Sequence, residues 1–164
     1  MRKILFFLFL WIINKIFGTE EDEADPMNYI IDNIFLGDRI AAANETFLKE
    51  YNISIVINCA IQIISNYNDL KALELKLYDD PNAKLFPILE YVYKIIKQYQ
   101  KTNILVHCMM GSSRSASVVI FYLMKEKKWD YDTCLKYVQE RRPCADPSFH
   151  FVRQLKEYYN KYIK

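Results

Sequence analysis

Hydrophobic and polar positions in the first half of the chain follow patterns that predict short β-strands. Apolar and β-branched residues between Tyr29 and Leu36 end at a Gly-Asp turn, which predicts one or two short strands. Residues 53–59 are rich enough in isoleucine and valine for an interior strand, and residues 73–77 alternate with period two. These segments together predict a β-sheet.

Apolar residues at helical spacing dominate the second half of the chain and predict several helices around a further strand. In chain order the predicted elements are a helix over 40–50, a helix between Pro81 and Thr102, a strand over 104–106, a helix over 115–127, a helix that Asp130 caps and that runs to about Arg142, and a last helix that holds Phe151, Leu155 and Tyr158. Strands that alternate with helices predict an α/β domain with a central, mostly parallel sheet flanked by helices on both faces.

Size and charge limit the possible classes of protein. The chain has 164 residues, of which 52% are hydrophobic, which suits one compact domain. Its 22 basic and 20 acidic residues leave a net charge of +2, too small an excess to indicate a nucleic-acid partner or an anionic membrane. We therefore expect no nucleic-acid binding.

The first 26 residues differ from the rest in composition. The apolar stretch 4–17 follows two basic residues and resembles a secretory signal, but it is short for a membrane-spanning helix, which needs roughly 20 apolar residues. Five acidic residues between positions 20 and 25 read as a solvated linker. The predicted division is a segment over 1–26 and a folded domain over 27–164. The apolar stretch is interpreted as a signal peptide, a membrane anchor, a helix packed on the domain or an unnatural extension.

The cysteine and histidine content argues against a structural metal site. Four cysteines (Cys59, Cys108, Cys134 and Cys144) include no CxxC pair, and the chain has two histidines. A chain of this length can build its own core without disulfides, so we expect free thiols and a reducing, cytoplasmic location. Membrane association through residues 4–17 stays open.

A loop between the strand that ends at Val106 and the helix that starts near Ser115 has the composition of an anion cradle. Backbone N–H groups at a helix N-terminus point at one spot, where the helix dipole adds positive potential. That potential favours both a bound phosphate and a thiolate at Cys108. Arg114, six positions later, brings a planar fork that binds two phosphate oxygens at once. Gly111 supplies a position that is free to take positive φ.

The sequence from His107 to Ser115, HCMMGSSRS, resembles the HCxxGxxRS signature of the dual-specificity protein phosphatases, which belong to the cysteine-based tyrosine phosphatase superfamily. The resemblance covers roughly residues 28–160. It also rests on FYLM at 121–124, RRP at 141–143, QL at 154–155, IFLG at 34–37 and IVIN at 55–58. It implies the α/β fold of that family and hydrolysis of phosphotyrosine and phosphoserine or phosphothreonine through a phosphocysteine intermediate. Neither a metal nor another cofactor is implied.

The resemblance also assigns roles to single residues. Cys108 is the expected nucleophile, Arg114 the phosphate clamp and Ser115 the hydroxyl that assists the departing thiolate. His107 is expected to brace the phosphate-binding loop, whose other residues are Met109, Met110, Gly111, Ser112 and Ser113.

The family's general acid is an aspartate that lies before the helix preceding the signature strand. Asp79 and Asp80 both occupy this region, and Asp79 is preferred because it follows the segment 73–77. The spacing to Cys108 is shorter than usual in the family, so Asp80 remains an alternative, and one of the two acids is expected to serve only the turn before Pro81.

Two other functions remain open. The substrate could be a lipid, an RNA or a glucan instead of a phosphorylated protein, although Met109 and Met110 lack the basic groups of inositol-lipid phosphatases. A non-catalytic phosphopeptide-binding module is the second alternative, and retention of Cys108, Arg114 and Ser115 argues against it. His150 has no motif around it and is expected to pack structurally. The sequence does not indicate an oligomeric state.

Overall fold

The computed structural model describes residues 25–61, 67 and 70–164. The predicted apolar stretch 4–17 and all of the acidic run except Asp25 lie outside these residues. Within the described part of the chain, no helix is both long enough and apolar enough to cross a bilayer.

Five strands form one mixed sheet in the spatial order β1-β2-β5-β3-β4. The strands are β1 (Met27–Ile31), β2 (Ile34–Gly37), β3 (Ile53–Asn58), β4 (Lys71–Glu74) and β5 (Asn103–His107). β1 and β2 form an antiparallel hairpin, whereas β2 with β5, β5 with β3 and β3 with β4 are parallel. The predicted mostly parallel sheet is confirmed.

Six helices of the described residues connect these strands and follow them. They are α1 (Arg39–Ala43), α2 (Glu45–Glu50), α3 (Leu85–Gln98), α4 (Arg114–Lys127), α5 (Tyr131–Gln139) and α6 (Phe149–Tyr162). Asp130 caps α5 through a bond from the Thr133 N–H to its carboxylate, as predicted.

The sheet is buried on both faces, because successive side chains of a strand point in opposite directions. In β5, Ile104 and Val106 join the larger core cluster, which includes buried residues of α3 to α6, whereas Leu105 joins a smaller cluster with buried residues of α1 and α2. Helix α4 lies at the centre of the larger cluster. Its residues 115–124 are all buried, which is typical of a helix enclosed by other elements.

Two helices and one strand have boundaries that differ from the sequence-based prediction, the helices as follows. The predicted helix over 40–50 is two helices, because Asn44 takes an extended conformation and its side chain caps α2 by accepting from the Phe47 N–H. Helix α5 ends at Gln139 and does not reach Arg142, because Pro143 disfavours helical backbone at the residue before it.

The alternation over residues 73–77 predicted a strand there, but the strand β4 covers Lys71–Glu74. β4 ends where its partner β3 ends, at Asn58. Beyond the strand, Leu75 and Leu77 are buried and Lys76 is exposed. The alternation therefore predicted correctly which side chains point into the core. The segment then leaves the sheet and leads to Asp79.

Candidate active site

The predicted phosphate loop lies at the carboxyl end of the parallel strands. β5 ends at His107, which pairs with Gly37 of β2 and Asn58 of β3. The chain leaves β5 at Cys108 and enters α4 at Arg114, so the loop opens at the edge where ligands bind in α/β sheets. The Arg39 N–H, at the start of α1, donates to the Met109 carbonyl at 3.3 Å and ties the loop to its neighbour.

Cys108 lies at the base of this loop with 2% of its surface exposed. The Ser115 hydroxyl donates to the Cys108 Sγ at 3.1 Å. Burial alone would raise the pKa of the Cys108 thiol, but the Ser115 hydroxyl, the Ser115 and Gly111 N–H groups and the Arg114 charge together hold that pKa below its ordinary value. The site therefore favours the nucleophilic thiolate.

All four cysteines are free thiols, and the environment of Cys108 distinguishes it from the other three. Burial, followed by the neighbouring Cys108, raises the pKa of Cys59 well above its ordinary range. Burial raises the pKa of Cys134 to about 12. These two thiols stay protonated at neutral pH.

Arg142 supports the loop from behind. Its guanidinium donates to the carbonyls of Gly111 at 2.9 Å and Met110 at 3.1 Å, and the residue is 2% exposed. Gly111 takes a φ of +66°, and a Cβ at this position would lie 2.4 Å from Arg142 Nη2 and 2.6 Å from the Gly37 carbonyl oxygen. The loop therefore needs glycine here for both its backbone conformation and its close contacts.

His107 is fully buried beside the loop. Its Nδ1 lies 3.4 Å from the Cys108 carbonyl oxygen. Burial lowers the pKa of His107 to about 4, so the imidazole is neutral near pH 7, and an Nδ1–H tautomer donates to that carbonyl. This contact supports the predicted bracing role.

A pocket of about 460 Å³ opens above Cys108. Predicted site residues supply most of its lining: Cys108, Met110, Ser112, Ser113, Arg114 and Asp79. His107, Met109, Gly111 and Ser115 do not line it, and they act through contacts to the loop or to the sulfur. Asp38, Arg142 and Cys144 complete the lining.

The two candidate acids have different surroundings. Asp79 lines the pocket, and its carboxylate accepts a bond from the Ser148 hydroxyl at 2.6 Å. Asp80 lies outside the pocket lining, and its carboxylate accepts from the Asn82 N–H at 2.7 Å while its carbonyl accepts from the Ala83 N–H. Asp80 thus stabilises the turn around Pro81. The arrangement supports Asp79 as the acid.

A chain of hydroxyl groups connects Asp79 to the phosphate loop. The Ser148 N–H donates to Ser113 Oγ at 3.1 Å, and the two serine oxygens lie 2.9 Å apart. Because the Ser148 proton is directed at Asp79, Ser113 is the donor between the serines. The position of Asp79 is therefore coupled to the predicted phosphate loop.

Sequence reasoning missed several residues that build the site. Arg142 was recognised as part of a matching segment but was given no role, and Asp38, Cys144 and Ser148 were not singled out. The position of Arg142 before Pro143 indicates that it lies outside the helix, but not that it contacts Gly111, 31 residues earlier. Ser148 carries no local signal, since its partners are 35 and 69 residues away.

The described residues contain no group of three or more metal-binding side chains of the His, Cys, Asp and Glu types.

An α/β sheet with a cysteine and arginine loop at its carboxyl edge is the architecture of the cysteine-based phosphatases. Residues 34–161 match the model of the family described as "Dual specificity phosphatase, catalytic domain". The chain belongs to the dual-specificity phosphatase family.

Known relatives agree with this assignment. The chain is 34% identical over 145 residues to the tyrosine-protein phosphatase vhp-1 of Caenorhabditis elegans, covering 85% of this chain and 22% of that protein. It is 34% identical over 139 residues to the mouse protein phosphatase Slingshot homolog 3, covering 83% of this chain and 21% of that protein. The chain thus spans about a fifth of the length of these curated relatives.

Solved structures share the fold over nearly their whole length. The structure of human DUSP28 has a TM-score of 0.76 at 27% identity and covers 84% of this chain and 95% of that chain. A human tyrosine phosphatase-like serine/threonine/tyrosine-interacting protein has a TM-score of 0.77 at 30% identity, with coverage of 84% and 98%. The predicted family and fold are confirmed.

Proposed function

We propose that this chain hydrolyses phosphomonoesters on proteins, on phosphotyrosine and on phosphoserine or phosphothreonine, through a phosphocysteine intermediate. The observation that carries the proposal is the Ser115 hydroxyl directed at a buried Cys108 sulfur, at the base of a pocket that Arg114 and Asp79 also line. A non-catalytic binding module has no need for a sulfur with a lowered pKa.

In the first step the Cys108 thiolate attacks phosphorus, the S–P bond forms and the P–O bond to the leaving group breaks. Asp79 in its protonated form gives its proton to the departing oxygen. Loop N–H groups and the Arg114 fork stabilise the negative charge on the equatorial oxygens, which is usually the largest catalytic contribution.

In the second step water attacks the phosphocysteine. The Asp79 carboxylate removes a proton from that water, the P–S bond breaks and inorganic phosphate leaves. The Ser115 hydroxyl at 3.1 Å from the sulfur stabilises the thiolate as it departs. The site is then restored without an added cofactor.

A phosphorylated protein fits the pocket mouth better than a polyphosphorylated inositol lipid. Two arginines line the pocket, and the Arg142 side chain is already bound to the carbonyls of Gly111 and Met110. Met110 is 63% exposed at the mouth with Arg39 Nη1 4.0 Å from its Sδ, and a lipid headgroup with several phosphates would need more cations than this.

Phosphate release from defined substrates tests the proposal. The purified chain would be assayed on peptides that carry phosphotyrosine or phosphothreonine, on a phosphoinositide and on a 5′-phosphorylated RNA. We expect turnover of the peptides and its loss in Cys108→Ser. Faster turnover of the lipid or the RNA would show that the preferred substrate is not a phosphorylated protein. Binding of phosphopeptides without turnover would indicate a binding module.

A further inference from the structure

His150 lies against the proposed general acid, although it stands 71 positions after Asp79 in the sequence. Its Nε2 is 3.1 Å from Asp79 Oδ1. Side-chain exposure is 16% for His150 and 31% for Asp79, so the imidazole is mostly shielded from solvent while the carboxylate is partly open to it. The imidazole packs edge-on against the Phe151 ring, with centroids 4.4 Å apart, which restricts its orientation.

The His150 Nε2 atom is buried and has no aligned hydrogen bond within the described part of the chain. Burying such a group without a partner is unfavourable. Its nearest acceptor is the Asp79 carboxylate, which it faces at ion-pair distance, and a small rotation of the ring would align the two groups. The Ser148 hydroxyl approaches the same carboxylate oxygen, Oδ1.

Asp79 needs external support because it lies outside every strand and helix. Its neighbours Tyr78, Asp80 and Pro81 are exposed, and such segments are more mobile than the elements they connect. Helix α6 supports the far end of this segment, since the Gln154 side chain accepts from the Leu85 N–H and donates to the Ala83 carbonyl. His150 lies one helical turn before Gln154, on the same face of α6.

We propose that His150 is a positioning residue for general acid catalysis: its Nε2–H holds Asp79 Oδ1 together with Ser148, so that Oδ2 carries the proton for the leaving group. This inference rests on the proposed function. Either the neutral Nε2–H tautomer or the cation can make the contact. Helix α6 thereby sets the position of an acid from a distant loop.

Two substitutions of His150 separate the effect of its N–H contact to Asp79 from the effect of its ring packing. His150→Phe retains an aromatic ring beside Phe151 but removes the N–H, whereas His150→Gln places an amide N–H near the former Nε2 position. Arg153→Gln, on an exposed position of the same helix, is the matched control. The constants kcat and kcat/KM would be measured for an alkyl phosphate and for an activated aryl phosphate, and a thermal melt would be recorded for every variant.

We expect His150→Phe to lower kcat for the alkyl phosphate by up to about tenfold, the size of one hydrogen bond, and to lower it much less for the activated aryl phosphate. KM should change little, because the contact serves the acid and not substrate binding. His150→Gln should recover part of the loss, and Arg153→Gln should match the parent.

The double variant Asp79→Asn with His150→Phe gives the decisive comparison. If His150 acts through Asp79, His150→Phe adds no further loss once Asp79 is replaced. An equal loss with both leaving groups, or a loss that persists in the Asp79→Asn background, would overturn the inference while leaving the proposed function intact. Absence of turnover by the parent chain on every phosphoester would overturn the proposed function itself.

Discussion

His107 and Cys108 are adjacent, buried and titratable, yet their surroundings act on them differently. Burial disfavours the charge of both groups, and it lowers the pKa of His107 to about 4. At Cys108 the Ser115 hydroxyl, the loop N–H groups and Arg114 outweigh burial, and the pKa is lowered. A neutral brace thus stands next to a stabilised thiolate.

The low pKa of His107 predicts a loss of stability at acidic pH. In the unfolded chain a histidine titrates near 6.5, so between about pH 6.5 and 4 the unfolded state binds more protons than the folded state. The free energy of unfolding should therefore fall as the pH is lowered through this window, by roughly 3 kcal/mol from this group.

Urea unfolding of the parent and of His107→Gln at several values between pH 7 and 4.5 measures this contribution. The variant is expected to be less stable at pH 7 but to lose less stability on acidification. Parallel pH dependences for the two chains would show that His107 is not the group responsible.

Single residues of the site were predictable where a local motif holds them. Cys108, Arg114 and Ser115 lie within eight positions of one another, so spacing alone places them around one loop. Arg142 and Ser148 reach the loop through contacts over 31 to 35 residues, which depend on how α5 and α6 pack. Sequence periodicity gives the buried face of a helix but not the residue it touches.

Among the elements, helix α6 contacts the proposed acid, Asp79. Its N-terminal turn contacts Asp79 through Ser148 and His150, and one turn later Gln154 binds the backbone before α3. The helix itself was predicted from the spacing of Phe151, Leu155 and Tyr158, all of which are buried. Its contacts to Asp79 were not predicted, because His150 was interpreted as a packing residue.

The different surroundings of the two aspartates predict different effects of their replacement. Asp79→Asn should lower the rate by about 10²- to 10⁴-fold for an alkyl phosphate, whose departing oxygen needs a proton, and far less for an activated aryl phosphate. Asp80→Asn should change both rates little, since it weakens only the turn before α3.

Side-by-side kinetics with both phosphates measure the difference, and thermal melts exclude unfolding as its cause. A larger, leaving-group-dependent loss in Asp80→Asn would move the acid by one residue. If neither variant shows dependence on the leaving group, the acid lies elsewhere.

For the molecule as a whole, the sequence pattern predicts the fold, but it does not predict where long-range contacts fix the boundary of the folded domain. Strand and helix order predicted the mostly parallel sheet, and alternating burial in β5 places core on both faces. The predicted division at residue 26 remains a prediction. Residues 25 and 26 do contact the domain, since the Asp25 carbonyl accepts from Arg142 at 2.9 Å and the Pro26 carbonyl accepts from the Asp38 N–H at 3.0 Å.

These contacts predict that a few residues before Met27 matter for stability. A chain that begins at Asp25 should fold and retain activity. A chain that begins at Met27 should also fold, but with a lower Tm, because the Asp38 N–H loses its acceptor and Arg142 Nη1 keeps only its bond to Asn28 Oδ1, a loss of about 1 kcal/mol per hydrogen bond.

Thermal melts and turnover of both chains, beside the full chain, measure the effect. Aggregation or a non-cooperative melt of the chain that begins at Asp25 would mean that the preceding apolar stretch belongs to the core. Equal Tm values for the two shortened chains would show that residues 25 and 26 are dispensable.

Pre-steady-state release of an aryl leaving group tests whether Cys108 is the nucleophile. In Ser115→Ala the phosphocysteine should form but break down slowly, because the thiolate loses its hydroxyl donor. We predict a burst of one leaving group per chain in this variant, with the phosphoryl group on Cys108, and no burst in Cys108→Ser. Turnover by Cys108→Ser above about a tenth of the parent rate, or a phosphoryl group on another residue of Ser115→Ala, would show that Cys108 is not the nucleophile.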